Sequence, residues 1–308
     1  MNSLHFPIAF FLASLATLSA QSTSITLEAV ADSYVAESEP DTNFGSAPML
    51  LVGANRGLSR QRAFVKFDMS VFANYGQVQR AWLVPHWSQP QGTIRVQAVE
   101  RLWDEQSVTW NDQPSVAAPS VTVAMSSFGS GYAWPIDVTS LVGSATKGFS
   151  IQAADEVSGA MIVSGGSREN NRPARLIVQF SYAFYGTSCG LSTSVNGLPQ
   201  IDSIYSVSAS MTPATGGLAF LLIGTRPTDL DLSAFGLIGC SLRSSAELVV
   251  PMPSVIRQGQ LFWSLNLAVP DDTNLYGASL YHQALHVDAA GALKLSLGIT
   301  ATILDPNR

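Results

Sequence analysis

The stretch AWLVPHWSQPQGTIRVQAV, residues 81–99, contains two short apolar runs on either side of a turn. The first run, residues 81–87, and the second, residues 93–99, are rich in the branched and aromatic residues that favour strands. The Gln-Pro-Gln-Gly sequence between them is typical of a turn. In the first run, alternation places Ala81 and Leu83 on one face and Trp82 on the other. Pro85 has no amide hydrogen, which predicts a sheet edge or a bulge there.

Similar runs extend in both directions from this stretch. Many short strands at this spacing favour a β-sandwich or jelly roll. The runs in the first half are residues 25–30, 63–67, 120–125, 132–137, 149–153, 160–163 and 175–180. Composition changes near residues 185–189, and a second set follows at residues 204–209, 218–223, 248–251, 261–267, 280–287 and 293–297. We therefore predict an all-β protein of two tandem β-sandwiches, the first a jelly roll over residues 21–184 and the second over residues 185–308.

The charge of the chain excludes one class of partner. Charged residues make up 12% of the sequence, and the formal net charge is -6. There is no run of Lys or Arg of the kind that tracks a nucleic-acid backbone, so nucleic acid is not expected as a partner. Composition does not decide the oligomeric state.

Residues 1–20 differ from the rest of the chain. An apolar run at residues 6–18 precedes the small residues Ser19 and Ala20, which predicts a secretory signal peptide cut near Ala20. The alternative is a short membrane anchor, but the run is shorter than the ~20 residues that a spanning helix needs. No later segment is apolar enough to span a membrane, so we expect a secreted protein.

The two cysteines, Cys189 and Cys240, both lie in the second half. In an oxidising compartment such a pair most simply forms one disulfide. The alternative is two separate buried thiols.

An ordered set of motifs runs through the first half. They are Ala31-Asp-Ser-Tyr-Val35, Thr42-Asn-Phe-Gly45, Leu51-Val-Gly53, Arg62-Ala-Phe-Val-Lys-Phe-Asp68, Ala81-Trp-Leu83, Trp103-Asp-Glu105, Ser107-Val-Thr-Trp-Asn111 with Pro114, Asp137-Val-Thr139, Gly148-Phe149 and Val163-Ser164 through Asn171-Arg-Pro-Ala-Arg-Leu-Ile-Val178. Together they resemble the DNRLRE domain, also classed as carbohydrate-binding module family 96, over about residues 24–182. Two stretches depart from the family pattern: Leu83-Val-Pro85, where Leu-x-Leu is usual, and Gly165-Gly166, where an acidic residue is usual. The resemblance implies a jelly roll that binds polysaccharide, in some relatives an acidic one.

The residues themselves indicate where a sugar would bind. Aromatic rings suit the apolar face of a sugar, and the planar fork of Arg suits a carboxylate. Alternation puts Ala63, Val65 and Phe67 on the core side of their strand. The outward set predicted as one basic, aromatic surface is Arg62, Lys66, Trp82, His86 and Arg95. The alternative is an ordinary solvated face, and Trp103 and Trp110 are expected in the core or at a corner.

A structural calcium ion is a further expectation, because jelly-roll carbohydrate modules often hold one. Calcium takes six to eight oxygen ligands. The oxygen donors in the matching motifs are Asp32, Asp41, Asn43 and Asp137. The alternative is that these residues cap turns.

Signs of catalysis are weak in this sequence. There is no Gly-x-Ser-x-Gly, no His-Glu-x-x-His and no P-loop. His282 and His286 have the spacing of a helical metal pair, but in a strand they would lie roughly 13 Å apart, and we expect them in a surface row. Asp104 and Glu105 are adjacent and point apart in an extended segment. We therefore do not expect an enzyme.

Four pieces stand out in the second half: Tyr185-Gly-Thr-Ser-Cys189, Phe220-Leu-Leu-Ile-Gly224, Phe235-Gly-Leu-Ile-Gly-Cys240, and the stretch from Val269 and Pro270 through Leu280-Tyr-His-Gln-Ala284. Together they make residues 185–303 resemble a C-terminal β domain of secreted proteins of planctomycetes and similar bacteria, which implies an exported protein and no particular ligand. The leading hypothesis is a secreted, non-catalytic protein that binds polysaccharide, acidic ones included, on an exposed sheet face or loop rim of the first sandwich. The competing hypotheses are a structural or adhesive surface protein and a hydrolase or lyase built on a jelly roll.

Overall fold

The computed structural model describes residues 23–55, 59–88, 92–125, 132–133, 135–143, 145–156, 161–212 and 216–304. The predicted signal peptide lies outside the described residues. No helix within the described ranges is long and apolar enough to cross a membrane.

Strands dominate the described chain, and the all-β prediction is confirmed. In chain order they are β1 (Ser24–Glu28), β2 (Ala31–Ala36), β3 (Met49–Asn55), β4 (Ser59–Lys66), β5 (Val78–Val84), β6 (His86–Ser88), β7 (Gly92–Val99), β8 (Val116–Met125), β9 (Tyr132–Ala133), β10 (Ile136–Asp137), β11 (Gly148–Ala153), β12 (Met161–Gly166), β13 (Arg175–Phe180), β14 (Tyr182–Tyr185), β15 (Ser192–Asn196), β16 (Ser203–Met211), β17 (Gly217–Gly224), β18 (Pro227–Asp231), β19 (Ser241–Ser244), β20 (Leu248–Met252), β21 (Ser254–Arg257), β22 (Gln260–Val269), β23 (Ser279–Asp288), β24 (Leu293–Leu295) and β25 (Gly298–Thr302). Short 3-10 helices are η1 (Met69–Asn74), η2 (Thr139–Leu141), η3 (Arg168–Asn170), η4 (Ser233–Phe235) and η5 (Thr273–Leu275).

Strands β1 to β13 build the first sandwich. A four-stranded sheet has the order β1-β13-β5-β10, and a nine-stranded sheet has the order β8-β7-β11-β4-β3-β12-β6-β9 with β2 paired to β4. Leu83 and Leu176 of the smaller sheet belong to the same buried cluster as Val65 and Phe149 of the larger one. The core therefore lies between the two sheets, and each sheet has a second, outer face.

Pro85 marks the place where the chain changes sheets. β5 ends at Val84 in the four-stranded sheet, and β6 begins at His86 in the nine-stranded sheet. The expected edge or bulge is not what the structure shows, because β5 is flanked by β13 and β10 on its two sides. Since Pro cannot donate to a ladder, it suits the break between two ladders.

Strands β14 to β25 build the second sandwich. A six-stranded sheet has the order β14-β25-β23-β17-β20 with β24 paired to β23, and a four-stranded sheet has the order β15-β16-β22-β21. Tyr205 and Trp263 of the smaller sheet share a buried cluster with Leu221 and Ile299 of the larger one. β18 and β19 pair separately. The predicted disulfide between Cys189 and Cys240 is present.

Candidate functional site

Other residues of the chain cover the outer face of the nine-stranded sheet around Arg62 and Lys66, two of the predicted site residues. Arg62, Phe64 and Lys66 point away from the core on β4, as alternation predicts. Phe64 is fully buried on that side, with its ring centroid 6.0 Å from that of Trp103. Val99 and Val108 join the same small cluster. Residues 100–114, which we call the cover segment, therefore shield this face from solvent.

Arg62 is engaged within the protein. Its Nε and Nη2 donate to the two carboxylate oxygens of Glu156 at 2.8 and 2.7 Å, and its Nη1 donates to Gln113 Oε1 at 3.0 Å. Its guanidinium also lies 4.8 Å from the centroid of the Trp110 ring. A guanidinium with these partners has little left to offer a ligand, so the structure gives Arg62 a role in holding the cover segment.

Lys66 and Arg95 are partly buried members of the same face, as Arg62 is. Lys66 Nζ donates to the carbonyl of Trp103 at 3.1 Å. Arg95 lies on β7, and its Nη2 donates to the carbonyl of Ala154 at 2.9 Å. The two side chains lie on separate strands, with β11 between β7 and β4.

The cleft next to Lys66 is also lined by Lys147, a second lysine that the sequence analysis did not select. Lys66 and Lys147 line it together with Asp68 and with apolar side chains that include Leu102, and its volume is about 600 Å³. Lys147 comes just before β11, far from Lys66 in sequence, so no local pattern links the two.

Trp82 lies on the other sheet. It is partly exposed on β5, on the outer face of the four-stranded sheet, while its neighbours Ala81 and Leu83 are buried in the core. The expectation that all five predicted residues share one surface is therefore not met. The reason is the change of sheets at Pro85, which separates Trp82 from β4 and β7.

The surroundings of Trp82 form an open, mixed surface. The strand register places Ile177 of β13 and Asp137 of β10 directly beside it. Arg80 lies two residues away on β5, and Gln179 is its cross-strand partner. Arg175 lies diagonally from Trp82, at the ~7–8 Å that such neighbours have in a sheet.

The two arginine side chains on this face form no ion pair with other described residues of the protein. Within the described ranges, neither Arg80 nor Arg175 forms a salt bridge, and Arg175 Nε is buried without a hydrogen-bond partner. Chemically, the face offers an indole for an apolar ring and guanidinium and amide groups for hydroxyls and carboxylates. Sequence alternation pointed to Trp82 but not to these neighbours, because they depend on the pairing of β5 with β13.

His86 lies near this end of the first sandwich. Burial lowers the pKa of its imidazole, and the nearby positive charges of Arg175 and Arg172 lower it further. His86 is thus close to Arg175, which lies on the same face as Trp82, although His86 itself belongs to the nine-stranded sheet.

Asp137 lies apart from the other predicted calcium ligands, because it belongs to the four-stranded sheet. Asp137 is exposed on the four-stranded sheet, where its carboxylate accepts from the amide of Thr139 at 2.9 Å. Asn43 closes a turn by accepting from the amide of Gly45 at 3.1 Å. Its Nδ2 donates to the carbonyls of Glu105 and Val108 at 2.9 and 2.8 Å, so the side chain holds the cover segment.

Asp41, also among the expected oxygen donors, accepts from Asn111 Nδ2 at 2.8 Å. Its carboxylate thus links the 41–45 turn to the cover segment.

Asp32 instead lies with two carboxylates that the sequence did not link to it. One carboxylate oxygen from each of Asp32, Glu105 and Glu169 lies within 4.8 Å of the others. Asp32 is 1% exposed, and burial raises the pKa of its carboxyl to about 7, while the hydrogen bond from the Arg168 amide lowers it. Both glutamates fall inside motifs noted in the sequence, but their convergence depends on the pairing of distant strands.

His282 and His286 correct another expectation. Both are fully buried, not in a surface row. His282 Nε2 lies 2.8 Å from Tyr205 Oη, and the ring of His286 lies 5.0 Å from that of Trp263. The reason is that β23 is a central strand and this face of it packs against the opposite sheet of the second sandwich. Burial lowers the pKa of His282 to about 4.

Comparison with known protein families agrees with the motifs of the first half. The model of carbohydrate-binding module family 96 matches residues 23–180 of the 308-residue chain, which spans β1 to β13. No curated protein matches the chain at a significant level. The likeness of residues 185–303 to a planctomycete-type domain stays a prediction.

Proposed function

Because the chain belongs to carbohydrate-binding module family 96, we propose that it is an extracellular, non-catalytic protein that holds polysaccharide on the outer face of the four-stranded sheet. Family membership indicates a carbohydrate partner. The disulfide between Cys189 and Cys240 fits an oxidising, extracellular compartment. The choice of face, the absence of catalysis and export through a signal peptide are our proposals.

The position of Trp82 is the observation that carries the choice of face. A tryptophan is normally withdrawn from water, and large aromatic side chains dominate binding energy where they remain exposed. Trp82 is partly exposed in the middle of an open sheet face, between strands on both sides. Paired strands on both sides fix the backbone that carries the indole, so a sugar ring stacking there orders little of the main chain.

The charged groups around Trp82 support an acidic ligand. Arg80 and Arg175 flank the indole and form no ion pair with any described residue, and guanidinium groups bind carboxylates through two parallel hydrogen bonds. The carboxylates of Glu28 and Asp137 are also exposed on this face. The guanidinium groups would hold the carboxylates of a uronic acid chain, whereas Glu28 and Asp137, which repel like charge, would accept hydrogen bonds only from its hydroxyl groups.

The test compares binding of the full chain to soluble polygalacturonate and to a neutral glucan, by titration calorimetry. We expect tighter binding to polygalacturonate, weakened by salt. Trp82→Ala should weaken it by at least about 30-fold, the equivalent of a hot spot of about 2 kcal/mol. Phe235→Ala, which removes a 71% exposed aromatic from the second sandwich, is the matched control and should leave affinity unchanged.

Three other outcomes would redirect or contradict the proposal. If Trp82→Ala binds normally while the pair Lys66→Ala and Lys147→Ala does not, the glycan lies in the lysine-lined cleft. If the folded protein binds no glycan, the structural or adhesive alternative takes over. Release of reducing ends from the polysaccharide by the purified chain would contradict a non-catalytic role.

A further inference from the structure

The smaller sheet of the second sandwich presents neutral polar side chains on its outer face. Three of its strands, β15, β16 and β22, contain no charged residue. Alternation sends Val195, Tyr205 and Trp263 into the core. The alternate positions, on the outer face, carry the hydroxyl and amide groups of Ser192, Ser194, Asn196, Ser206, Ser208, Ser210, Ser264 and Asn266. A ligand lying across these three strands would therefore meet hydroxyls and amides but no charged side chain of theirs.

The strand register arranges these side chains in two parallel rows. One row is Ser194-Ser208-Ser264 and the next is Asn196-Ser206-Asn266. Strand spacing puts neighbours within a row about 4.8 Å apart, and the rise along a strand puts the two rows about 6.7 Å apart. Within the serine row, Ser208 Oγ donates to Ser264 Oγ at 3.0 Å. The rows thus form a regular series of groups that can both donate and accept hydrogen bonds.

A pocket of about 290 Å³ lies where the serine row meets β21. Its lining residues are Ser208, Pro253, Val255, Phe262, Trp263 and Ser264. Phe262 is partly exposed, so the pocket combines an aromatic ring with two hydroxyl groups. Its volume is at the small end of the range for small-molecule sites, which begins at about 300 Å³. Such a pocket fits one sugar ring, whose apolar face packs on the phenyl ring while its hydroxyls bond to the serines.

The lack of charge distinguishes between classes of glycan. The carboxylates or sulfates of an acidic polysaccharide are best held by guanidinium or ammonium groups. None of the residues that line the pocket or form the two rows carries such a group. An acidic chain would therefore leave unpaired charges against this face, which is costly. The hydroxyls of a neutral sugar can instead pair directly with serine and asparagine.

The short side chains also argue against a protein partner. Serine is depleted in protein interfaces, where the binding energy depends on Trp, Tyr and Arg anchors. Trp263 is 1% exposed and belongs to the core, which leaves Phe262 as the aromatic side chain that the pocket offers. A serine has a single side-chain torsion to fix, so a row of serines can bind sugar hydroxyls at a small cost in entropy.

We propose that this outer face is a second carbohydrate site, which binds a neutral polysaccharide with one sugar ring on Phe262 and neighbouring sugars along the serine and asparagine rows. The site lies outside residues 23–180, the part of the chain that the family model matches. It differs in chemistry from the Trp82 face and does not depend on it.

The test measures binding of the full chain to three soluble neutral polysaccharides, a mixed-linkage β-glucan, a galactomannan and an arabinoxylan, by titration calorimetry. We expect binding to at least one of them. Its affinity should change by less than about twofold between about 0.1 M and about 1 M salt, because an uncharged ligand is not screened. Binding of polygalacturonate at the Trp82 face should weaken with salt, so the two proposals can fail separately.

Variants locate the neutral site. Phe262→Ala should weaken binding of the neutral polysaccharide at least about tenfold. Phe235→Ala, which removes a 71% exposed ring from the same sandwich, is its control. Because Phe262 is partly buried, a melting curve checks that its variant is folded. Ser264→Ala removes one exposed hydroxyl and should weaken binding about fivefold, whereas the exposed Ser120→Ala on β8 should not weaken it.

Three results would overturn the proposal. The first is that none of the three neutral polysaccharides binds. The second is binding that is unchanged in both Phe262→Ala and Ser264→Ala, and the third is neutral binding that is lost in Trp82→Ala. The first result, together with a dimer of the free chain that Phe262→Ala dissociates, would assign the face to a second copy of the chain instead.

Discussion

Gly45 gives a sharp test of how the cover segment is held. Gly45 is buried, and a Cβ added to it would lie 2.1 Å from the carbonyl oxygen of Glu105. To reach even a tight 3.0 Å contact, that carbonyl must retreat by about 0.9 Å. A retreat of this size is enough to break the 2.9 Å hydrogen bond from Asn43 Nδ2 to the same oxygen. Gly45→Ala should therefore destabilise the first sandwich.

The expected loss combines two effects. Overpacking costs about 1–3 kcal/mol, and the broken hydrogen bond adds about 1 kcal/mol. A total of about 2–4 kcal/mol corresponds to a fall in Tm on the order of 10 °C for a unit of this size. Urea unfolding followed by circular dichroism measures it. Gly143→Ala is the control, because a Cβ there meets nothing within 4 Å. If the two variants differ by less than about 0.5 kcal/mol, the reasoning about the cover segment is wrong.

Three further predictions concern the rest of the molecule. Replacing Cys189 and Cys240 by Ala opens a loop with a sequence separation of 51 and should cost about 4 kcal/mol, read from the urea midpoint. The buried His282 has a pKa of about 4 in the folded protein and an ordinary value of 6.5, so its imidazole binds a proton more readily in the unfolded state. The free energy of unfolding should therefore fall by on the order of 3 kcal/mol as the pH drops from about 6.5 to about 4. His282→Gln should flatten that pH profile, and an unchanged slope would contradict it. Arg62→Ala should lower the Tm because its ion pair with Glu156 is lost. It should leave glycan affinity within about twofold, because the guanidinium is already bonded within the protein.

Local alternation predicted which way side chains point, and it did so correctly for β4 and β5. Ala63 and Val65 face the core, and Trp82 faces outward. The period of two is a local property of a strand, so it can be read from the sequence. Whether an outward face meets solvent is decided elsewhere in the chain. Phe64 is buried because Trp103, far along the chain, packs over it.

The same limit explains the histidines and the acidic cluster. His282 and His286 share a face of β23, as their even spacing requires, but the position of β23 in the middle of its sheet buries that face. Asp32 was selected as an oxygen donor, whereas Glu105 and Glu169 were not joined to it. Their meeting depends on the packing of the cover segment and η3 against β2, which no local pattern specifies.

The two outer faces of the first sandwich therefore have different physical roles. On the nine-stranded sheet, the cover segment removes Phe64 from water and uses Arg62 and Glu105 to hold itself in place. On the four-stranded sheet, Trp82 keeps its exposure and nearby guanidinium groups keep their capacity to bind. Substitutions beneath the cover should change stability with little effect on sugar affinity, and substitutions around Trp82 should do the reverse. Because the two faces belong to different sheets, these effects should add in a double variant, and strong coupling between them would argue that the glycan contacts both.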